Sequence, residues 1–434
     1  MLRNVGTMKI LVLLLVNLSL CLGVEYQPRH VHLALGGEPN SLVVTWSTLN
    51  RTDRSIALVG RKKIEREYSG VSSLFIDGGE EGREQWIHTV TLNQLKPNKN
   101  YFYRVGSELG WSNYFYTKTL PDSTDWSPTI AMFGDMGTEN AASLPFLQRG
   151  ASEGMFQAIL HVGDMAYDMA EENGKRGDDF MEQIEPIAST VPYMTCPGNH
   201  EHHYNFSNYK ARFSMPEDDN KMFYSFNLGP VHFISISTEF YFYLEYGMDQ
   251  LINQYYWLKQ DLEKANTPEA RSKRPWIIVF GHRPMYCSNN DDDDCTKNES
   301  RTRVGLPWMH WFGLEELMYN NVVDLAVWAH EHSYERLLPV YNRTVLPGPD
   351  SKLPYVNPRA PVHIVTGSAG CREKHDGFIP NPPPWSVFRS DEYGFTLLKV
   401  VNSTHLRLEQ MSVEPDLHSI DQFWIIKSSH SAFS

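Results

Sequence analysis

The residues best suited to chemistry in this sequence are carboxylates, amides and histidines that follow short apolar runs. Asp135 comes two residues after the run 129–133, and Asp164 comes two residues after the run 158–162. The other side chains of this kind at the ends of predicted strands are Asn199, His200, His282, His330 and His332. These seven residues follow five predicted strands, and at four of the five strand ends a glycine directly precedes the first of them. Glycine lets the backbone turn sharply where a strand stops. One Gly-Asp pair is a common turn, but the whole series in this order predicts a single shared site.

The types of these side chains limit what the site can bind. Carboxylate, amide and imidazole groups without thiolates suit iron, zinc or manganese and are a poor match for copper(I). Because one carboxylate can bridge two ions, Asp164, which lies between the other groups in the series, is the candidate bridge. Tyr167 lies three residues beyond Asp164 and offers a phenolate oxygen, which favours Fe(III). The alternative for Tyr167 is a packed aromatic side chain near a turn.

A layered α/β domain would bring these distant loops together. After residue 125, short β-branched or apolar runs alternate with helix-like segments, which is typical of that class. The predicted strands are 129–133, 158–162, 192–195, 231–237, 276–280, 323–328 and 362–366, and the predicted helices include 179–188, 248–265 and 310–320. The carboxyl ends of strands in such a fold line one crevice, where ligands bind.

A separate all-β module is predicted before this domain. The segments 31–35 and 41–46 alternate apolar and polar residues, and 86–92 and 101–105 are two further predicted strands. Leu95, Pro97 and Tyr101 have the spacing of a tyrosine corner in a fibronectin-like or immunoglobulin-like sandwich. The alternative is a set of unrelated strands, but each of these three residues has a packing role in a sandwich.

The motifs resemble those of the purple acid phosphatases, a family of metallophosphoesterases. The matching strings are GDMG at 134–137, GDMAY at 163–167, GNHE at 198–201, GH at 281–282 and AHEHSYER at 329–336. Within the family, GHRPMYCSN, WAHEHSYER and VTGSAGC are most similar to the animal acid phosphatase type 7 group. The resemblance covers the whole mature chain.

The resemblance implies a two-domain fold. We expect an N-terminal fibronectin-III-like all-β sandwich at residues 24–120, followed at 126–340 by an α/β metallophosphoesterase domain of layered β-sheets flanked by helices. Residues 341–434 are expected to form a C-terminal segment that packs on the catalytic domain.

The resemblance also implies a ligand set, carried over position by position. Fe(III), one per subunit, would be bound by Asp135, Tyr167 and His332. A divalent ion, also one per subunit, would be bound by Asn199, His282 and His330, with Asp164 bridging the two ions. Zinc is the expected divalent ion, with Mn or Fe(II) as alternatives.

Two departures from the family pattern affect these expectations. Ala329 replaces the glycine of the familiar Gly-His-x-His motif, and we expect only a small change in the loop backbone. Plant relatives carry a pair of substrate histidines after the single-histidine motif, whereas residues 285–298 contain none. The proton donor to the leaving group is therefore open, with His200 as the first choice. We expect His200, Asn199 and His202 to contact the substrate, with Glu201 as an alternative to His202.

The expected function is that of a secreted acid phosphatase. Two ions roughly 3.5–4 Å apart can orient a phosphate, and a metal-bound hydroxide attacks it in line. The expected substrates are small phosphate monoesters or phosphoproteins. One alternative is a related enzyme that prefers diesters or pyrophosphates. The other is a secreted binding protein that has lost catalysis, although such a protein has no need to keep buried metal-type groups unpaired.

Charge and targeting signals define the expected setting. The net charge of −13, from 39 Lys and Arg against 52 Asp and Glu, argues against nucleic acid as a partner, since such binders need a basic face.

Residues 1–23 resemble a signal peptide, with Arg3 and Lys9 before a short apolar run, so no membrane span is expected after its removal. An uncleaved anchor is the alternative. We expect an extracellular protein, with a lysosomal location as the alternative. The predicted N-glycosylation sites are Asn50, Asn205, Asn298, Asn342 and Asn402.

The cysteines and the acidic run 291–294 are less informative. With Cys21 in the leader, four cysteines remain, and they allow three pairings. Cys287 and Cys295 could staple the loop between them, while Cys196 and Cys371 could be buried thiols. The acidic run is interpreted as a solvated loop, because it lacks the glycine and the later glutamate of an EF-hand.

Overall fold

The computed structural model describes residues 24–38, 40–216 and 222–433. The predicted leader 1–23 lies outside the described residues. No helix in these ranges is long and apolar enough to cross a membrane.

Two antiparallel sheets form the N-terminal domain. Its strands are β1 (Arg29–Leu35), β2 (Leu42–Thr48), β3 (Ile56–Gly60), β4 (Ile64–Ser69), β5 (Val71–Ile76), β6 (Glu84–Leu92), β7 (Asn100–Ser107), β8 (Gly110–Trp111) and β9 (Phe115–Lys118). One sheet has the order β1-β2-β6-β5, and the other has the order β4-β3-β7-β8 with β9 paired to β7. Trp46 and Tyr103 are buried between them. The Tyr101 hydroxyl accepts the backbone N–H of Lys96 at 2.9 Å, so the predicted tyrosine corner is confirmed.

Two larger sheets form the catalytic domain. The strands that follow β9 are β10 (Thr129–Phe133), β11 (Met136–Gly137), β12 (Ala158–Val162), β13 (Met165–Ala166), β14 (Tyr193–Cys196), β15 (Tyr224–Leu228), β16 (Val231–Ser235), β17 (Trp276–Phe280), β18 (Gly305–Leu306), β19 (Trp311–Phe312), β20 (Leu325–Trp328), β21 (Tyr334–Leu337), β22 (Val340–Tyr341), β23 (Thr344–Val345), β24 (Val362–Thr366), β25 (Ser386–Ser390), β26 (Gly394–Asn402), β27 (His405–Ser412) and β28 (His418–Ile426). The first sheet has the order β14-β12-β10-β26-β27-β28, and the second has the order β15-β16-β17-β20-β24-β21-β25. Strands β12, β17, β20 and β24 are buried at every position, as expected for parallel strands covered on both faces.

Helices cover these sheets. They are α1 (Leu144–Glu153), α2 (Glu171–Ala188), α3 (His203–Arg212), α4 (Met248–Ala265), α5 (Pro268–Lys273), α6 (Arg301–Val304) and α7 (Leu314–Asn320), with 3₁₀ turns at Asn199–Glu201, Thr238–Tyr241, Leu244–Tyr246 and Asp294–Thr296. The predicted fold class, a β-sandwich followed by a domain of layered β-sheets flanked by helices, is confirmed.

The helix predicted over 310–320 begins only at Leu314. The backbone at His310 and Phe312 is left-handed, with φ of 50° and 66°, so a helix cannot run through them. Trp311 and Phe312 instead pair with Gly305 and Leu306 as a short antiparallel ladder.

The segment after residue 340 contributes to both catalytic sheets. Strand β24 lies between β20 and β21, and β26 pairs antiparallel with β10. The predicted boundary at 340 remains a prediction, and the strands beyond it are hydrogen-bonded into the sheets that carry the site.

The sandwich and the catalytic domain share a buried ionic cluster around Asp178 of α2. Arg212 of α3 donates to Asp178 at 2.8 Å, and Gln85 of β6 donates to it at 2.7 Å. Arg83, which directly precedes β6, also pairs with Asp178. Burial opposes ionisation of Asp178, but these partners outweigh it and lower its pKa to about 2.

Candidate metal centre

One group of predicted ligands meets where β10 and β20 end. The Tyr167 hydroxyl lies 2.7 Å from Nε2 of His332 and 3.3 Å from Oδ1 of Asp135. Nε2 of His332 lies 3.7 Å from the same Asp135 oxygen. A phenol, a carboxylate and an imidazole therefore point at one small volume.

A second group meets beside the first, at the ends of β12, β14 and β17. Nε2 of His282 lies 3.1 Å from each of three atoms: Oδ2 of Asp164, Oδ1 of Asn199 and Nδ1 of His330. The two groups are joined because the backbone N–H of His330 donates to Oδ2 of Asp135 at 2.9 Å. The structure thus brings all seven predicted ligands into one cluster, split between the edges of two sheets.

The backbone is strained where it presents these ligands. Asp135, Asp164, Tyr167 and His330 have left-handed φ of 60°, 51°, 53° and 73°. Such non-glycine conformations are costly and are concentrated at functional sites. Close approach explains one glycine in the motifs. A Cβ on Gly198 would lie 2.2 Å from Oδ1 of Asp164, so a side chain there would displace the carboxylate.

Outer contacts orient the ligand histidines. Nδ1 of His282 donates to the Val162 carbonyl at 2.9 Å, which leaves Nε2 to face the centre. Nε2 of His330 lies 3.0 Å from Oδ2 of Asp293 and 2.8 Å from Nη1 of Arg283. Donation to Asp293 leaves Nδ1 of His330 free to bind a cation.

Glu201 holds two loops of predicted ligands together. Its buried carboxylate accepts the backbone N–H groups of Asp164, Met165 and Gly198 at 2.9, 2.8 and 2.8 Å. Both carboxylate oxygens are used in this way, and substrate contact by Glu201, the alternative to His202, stays a prediction.

The electrostatics of the cluster are those of a cation site. Burial raises the pKa of Asp135 well above its ordinary value, and the nearby Asp164 carboxylate adds to the shift. Burial and the same carboxylates raise the pKa of the Tyr167 phenol. Burial lowers the pKa of His282, but Asp164 outweighs that effect and raises it to about 10. A bound cation reverses these shifts, because it favours the anionic acids and neutral imidazoles that serve as ligands. The donor set therefore fits metal ions.

His200 lies beside the cluster, outside its tight groups. Its backbone N–H donates to Oδ1 of Asp164 at 2.9 Å, and its ring packs on Tyr167 with centroids 4.4 Å apart. Nδ1 of His200 lies 3.1 Å from Oδ1 of Asp168. Burial alone would lower the pKa of His200, but Asp164 and the bond to Asp168 raise it to about 9.

His202 contacts the backbone of the loop that carries Asn199. Its Nδ1 donates to the Asn199 carbonyl at 2.6 Å, and its ring stacks on Tyr243 with centroids 4.4 Å apart. The predicted substrate contact of His202 stays a prediction, and the contacts present support the position of Asn199.

Asp168 and Asp293 are two carboxylates beside the cluster that the sequence pattern did not predict. Asp168 directly follows Tyr167, and its carboxylate reaches His200 and His203, so its place in the GDMAYD string was an available signal. Asp293 was interpreted as part of a solvated loop. That interpretation is wrong for Asp293 and Asp294. Asp294 is buried and accepts from the Ser300 hydroxyl at 2.7 Å.

The cysteine pairing left open by the sequence is also settled. Cys287 and Cys295 form a disulfide, and Cys196 and Cys371 are buried free thiols.

The carboxyl ends of two sheets thus present carboxylate, amide, phenol and imidazole groups that fit metal ions. Family models show what kind of protein carries such a site. Residues 128–334 match the calcineurin-like phosphoesterase family, 28–119 the purple acid phosphatase N-terminal domain, and 360–422 the iron/zinc purple acid phosphatase-like protein C family.

Known proteins of the same kind resemble the chain over nearly its whole length. It is 54% identical to acid phosphatase type 7 of Danio rerio, covering 93% of this chain and 92% of that protein. It is 50% identical to acid phosphatase type 7 of Homo sapiens, covering 92% and 91%. Among solved structures, a purple acid phosphatase from yellow lupin (Lupinus luteus) seeds matches with a TM-score of 0.77 at 25% identity, covering 93% of this chain and 75% of that one.

The chain belongs to the purple acid phosphatase family. It is a metal-dependent phosphatase, and its family implies a binuclear metal centre and phosphate-ester substrates.

Proposed function

We propose that this protein is a secreted acid phosphatase that hydrolyses phosphate monoesters at an Fe(III)–divalent metal centre. The observation that carries the proposal is the pair of ligand groups joined by the bond from His330 to Asp135. When bound, the two ions would supply the positive charge that activates a water molecule and neutralises phosphoryl oxygens.

The two ligand groups suit different ions. Asp135, Tyr167 and His332 include two hard anionic oxygens, which favour Fe(III). Asn199, His282 and His330 offer two imidazoles and an amide oxygen, a set that suits zinc, with Mn or Fe(II) as alternatives. Asp164 would bridge, since its Oδ2 lies 3.1 Å from Nε2 of His282 and its loop is bonded to that of Asp135, whose backbone N–H donates to the Gly163 carbonyl at 3.2 Å.

His200 is the chain's own group for the substrate. Asp168 accepts from Nδ1, so the Nε2 edge faces the centre, 3.9 Å from Oδ2 of Asp164. From there it would neutralise a phosphoryl oxygen and protonate the departing alcohol. Asn199 would contact the substrate from the divalent side.

The test of the His200 role separates chemistry from metal loading. We expect His200→Ala to lower kcat by about 100-fold or more, the usual contribution of such a group, while both metals are retained. His203→Ala is the matched control, because its half-exposed side chain lies in the same segment, 3.7 Å from Asp168. Equal kcat values in the two variants would refute the role of His200.

The monoester preference is tested directly. Initial rates on an aryl phosphate monoester, the corresponding diester and pyrophosphate should rank the monoester first. A faster diester or pyrophosphate reaction would replace the proposed substrate class and leave the metal centre in place.

Secretion is supported by three features of the chain. The leader-like residues 1–23 precede a chain that contains the Cys287–Cys295 disulfide, a bond typical of oxidising compartments. Four of the five predicted glycosylation asparagines are exposed: Asn50, Asn298, Asn342 and Asn402. Asn205 is partly buried. Recovery of glycosylated enzyme from the culture medium would support secretion, and retention inside the cell would contradict it.

A further inference from the structure

Glu331, between the two predicted ligand histidines that follow β20, is a buried carboxyl group without a hydrogen-bond donor beside it. Its exposed fraction is 0%, and in the described chain its Oε2 has no hydrogen-bond partner. Oε1 lies 3.0 Å from Sγ of Cys295. That sulfur is bonded to Cys287 and carries no proton to donate. A buried polar atom without a hydrogen-bond partner is disfavoured, so the position of this oxygen indicates a missing ligand.

The neighbours of Glu331 are other acids. One carboxylate oxygen each from Asp291, Glu331 and Asp376 lie within 4.8 Å of one another. Oδ2 of Asp376 accepts the backbone N–H of His332 at 2.7 Å. No lysine or arginine of the described residues forms an ion pair with any of the three carboxylates. The three carboxylates include none of the seven predicted ligands but lie directly beside them, since Glu331 also groups with Asp293 and His330, and Oδ2 of Asp376 lies 3.8 Å from Nδ1 of His332.

We propose that Asp291, Glu331 and Asp376 bind a third cation, Ca²⁺. Three hard carboxylate oxygens without nitrogen or sulfur are Ca²⁺ or Mg²⁺ ligands. Ligands at about 2.3–2.6 Å from Ca²⁺ can lie up to about 5 Å apart, which accommodates the spread of this cluster. Mg²⁺ is usually held by one or two carboxylates and keeps several of its waters, whereas Ca²⁺ takes six to eight oxygen ligands, so three protein carboxylates favour Ca²⁺.

The site would have a structural consequence for the catalytic centre. Asp291 lies in the loop closed by the Cys287–Cys295 disulfide, and the same loop supplies Asp293 to His330. Ca²⁺ bound between Asp291 and Glu331 would tie this loop to the end of β20. The loop that orients a ligand histidine would thus be fixed by a separate ion.

A shared proton is the competing explanation. Burial raises the pKa of Glu331 well above its ordinary value, and the charge of Asp291 adds to the shift. A protonated Glu331 would donate to a neighbouring carboxylate and need no metal. In that case Glu331→Gln would keep the hydrogen bond, and Ca²⁺ would have no effect.

The experiment is a Ca²⁺ titration of the full-length enzyme, purified with its own metals and dialysed into calcium-free buffer. Calorimetry should give about one equivalent of Ca²⁺ with a Kd on the order of 10⁻⁴ M, in the range of known protein sites, together with a rise in Tm. Asp291→Asn should weaken binding at least tenfold. Asp292→Asn is the matched control, because Asp292 is exposed in the same loop and lies outside the cluster, and it should bind as the wild type does.

Two results would overturn the proposal. One is the absence of saturable Ca²⁺ binding, with a Glu331→Gln variant at least as stable as the wild type. The other is equal affinity in the Asp291→Asn and Asp292→Asn variants. Iron and zinc contents, measured on the same samples, show whether the binuclear centre is present, so failure of the third site and failure of the proposed function are distinguishable.

Discussion

Glu201→Gln provides a sharp test of how the ligand loops are held. The carboxylate of Glu201 is 2% exposed, and it accepts three backbone N–H groups that flank Asp164 and Asn199. A glutamine can offer its single oxygen to the pair at Asp164 and Gly198. Its amide N–H₂ would then face the N–H of Met165, donor against donor.

The loss in the free energy of unfolding follows from these three hydrogen bonds. The buried N–H of Met165, left without an acceptor, costs about 1–3 kcal/mol, and the two bonds that lose a charged acceptor weaken by about half each. Together they lower the free energy of unfolding by about 3 kcal/mol. For a domain of this size that lowers Tm by roughly 5–10 °C. Because Asp164 and Asn199 lose their fixed positions, metal affinity should fall about 10- to 100-fold, the usual effect of losing an outer support.

The assay is differential scanning calorimetry together with metal analysis after dialysis against a chelator. Glu245→Gln is the control, because this glutamate is exposed in the segment Leu244–Tyr246. A Glu201→Gln protein with the Tm and metal retention of the control would refute the role given to Glu201.

Two other substitutions test separate parts of the structure. The pKa of Asp178 is lowered to about 2 in the folded protein. Its pairing with Arg212 and Gln85 therefore stabilises the fold at pH values above the ordinary carboxyl pKa, and this stabilisation is lost as the pH falls from about 4 to 2. We expect Asp178→Asn to cost about 2 kcal/mol at pH 7 and to flatten the acid limb of a stability–pH curve, and an unchanged acid limb would contradict this. We expect Tyr167→Phe to abolish a broad visible absorption while the divalent ion remains bound, and a variant that keeps the absorption would show that Tyr167 does not bind iron.

The catalytic strands were predictable because burial leaves a simple signal. Strands such as β10, β12, β17 and β24 are short apolar runs covered on both faces, and they agree with the prediction at both ends. Predicted ligands follow directly from the ends of β10, β12 and β17. A residue two positions beyond a parallel strand has little freedom in where it lies.

The supporting residues were harder to predict because their partners are distant in sequence. Asp293 reaches His330 across 37 residues, and Glu201 reaches the Asp164 loop across 37. Nothing in the local pattern of an acidic loop distinguishes a carboxylate that orients a ligand from a solvated one. The entry of β26 into the first sheet beside β10 likewise depends on pairing over more than 250 residues.

Metal content measured beside phosphatase activity tests the central claim most directly. The natively purified wild-type chain should contain one iron and one divalent ion, with zinc as the expected divalent ion, and it should hydrolyse a phosphate monoester. Asp164→Ala should lose both ions and all measurable turnover while keeping its secondary structure. An active wild-type enzyme without bound metal, or an Asp164→Ala variant with unchanged iron, would contradict the account.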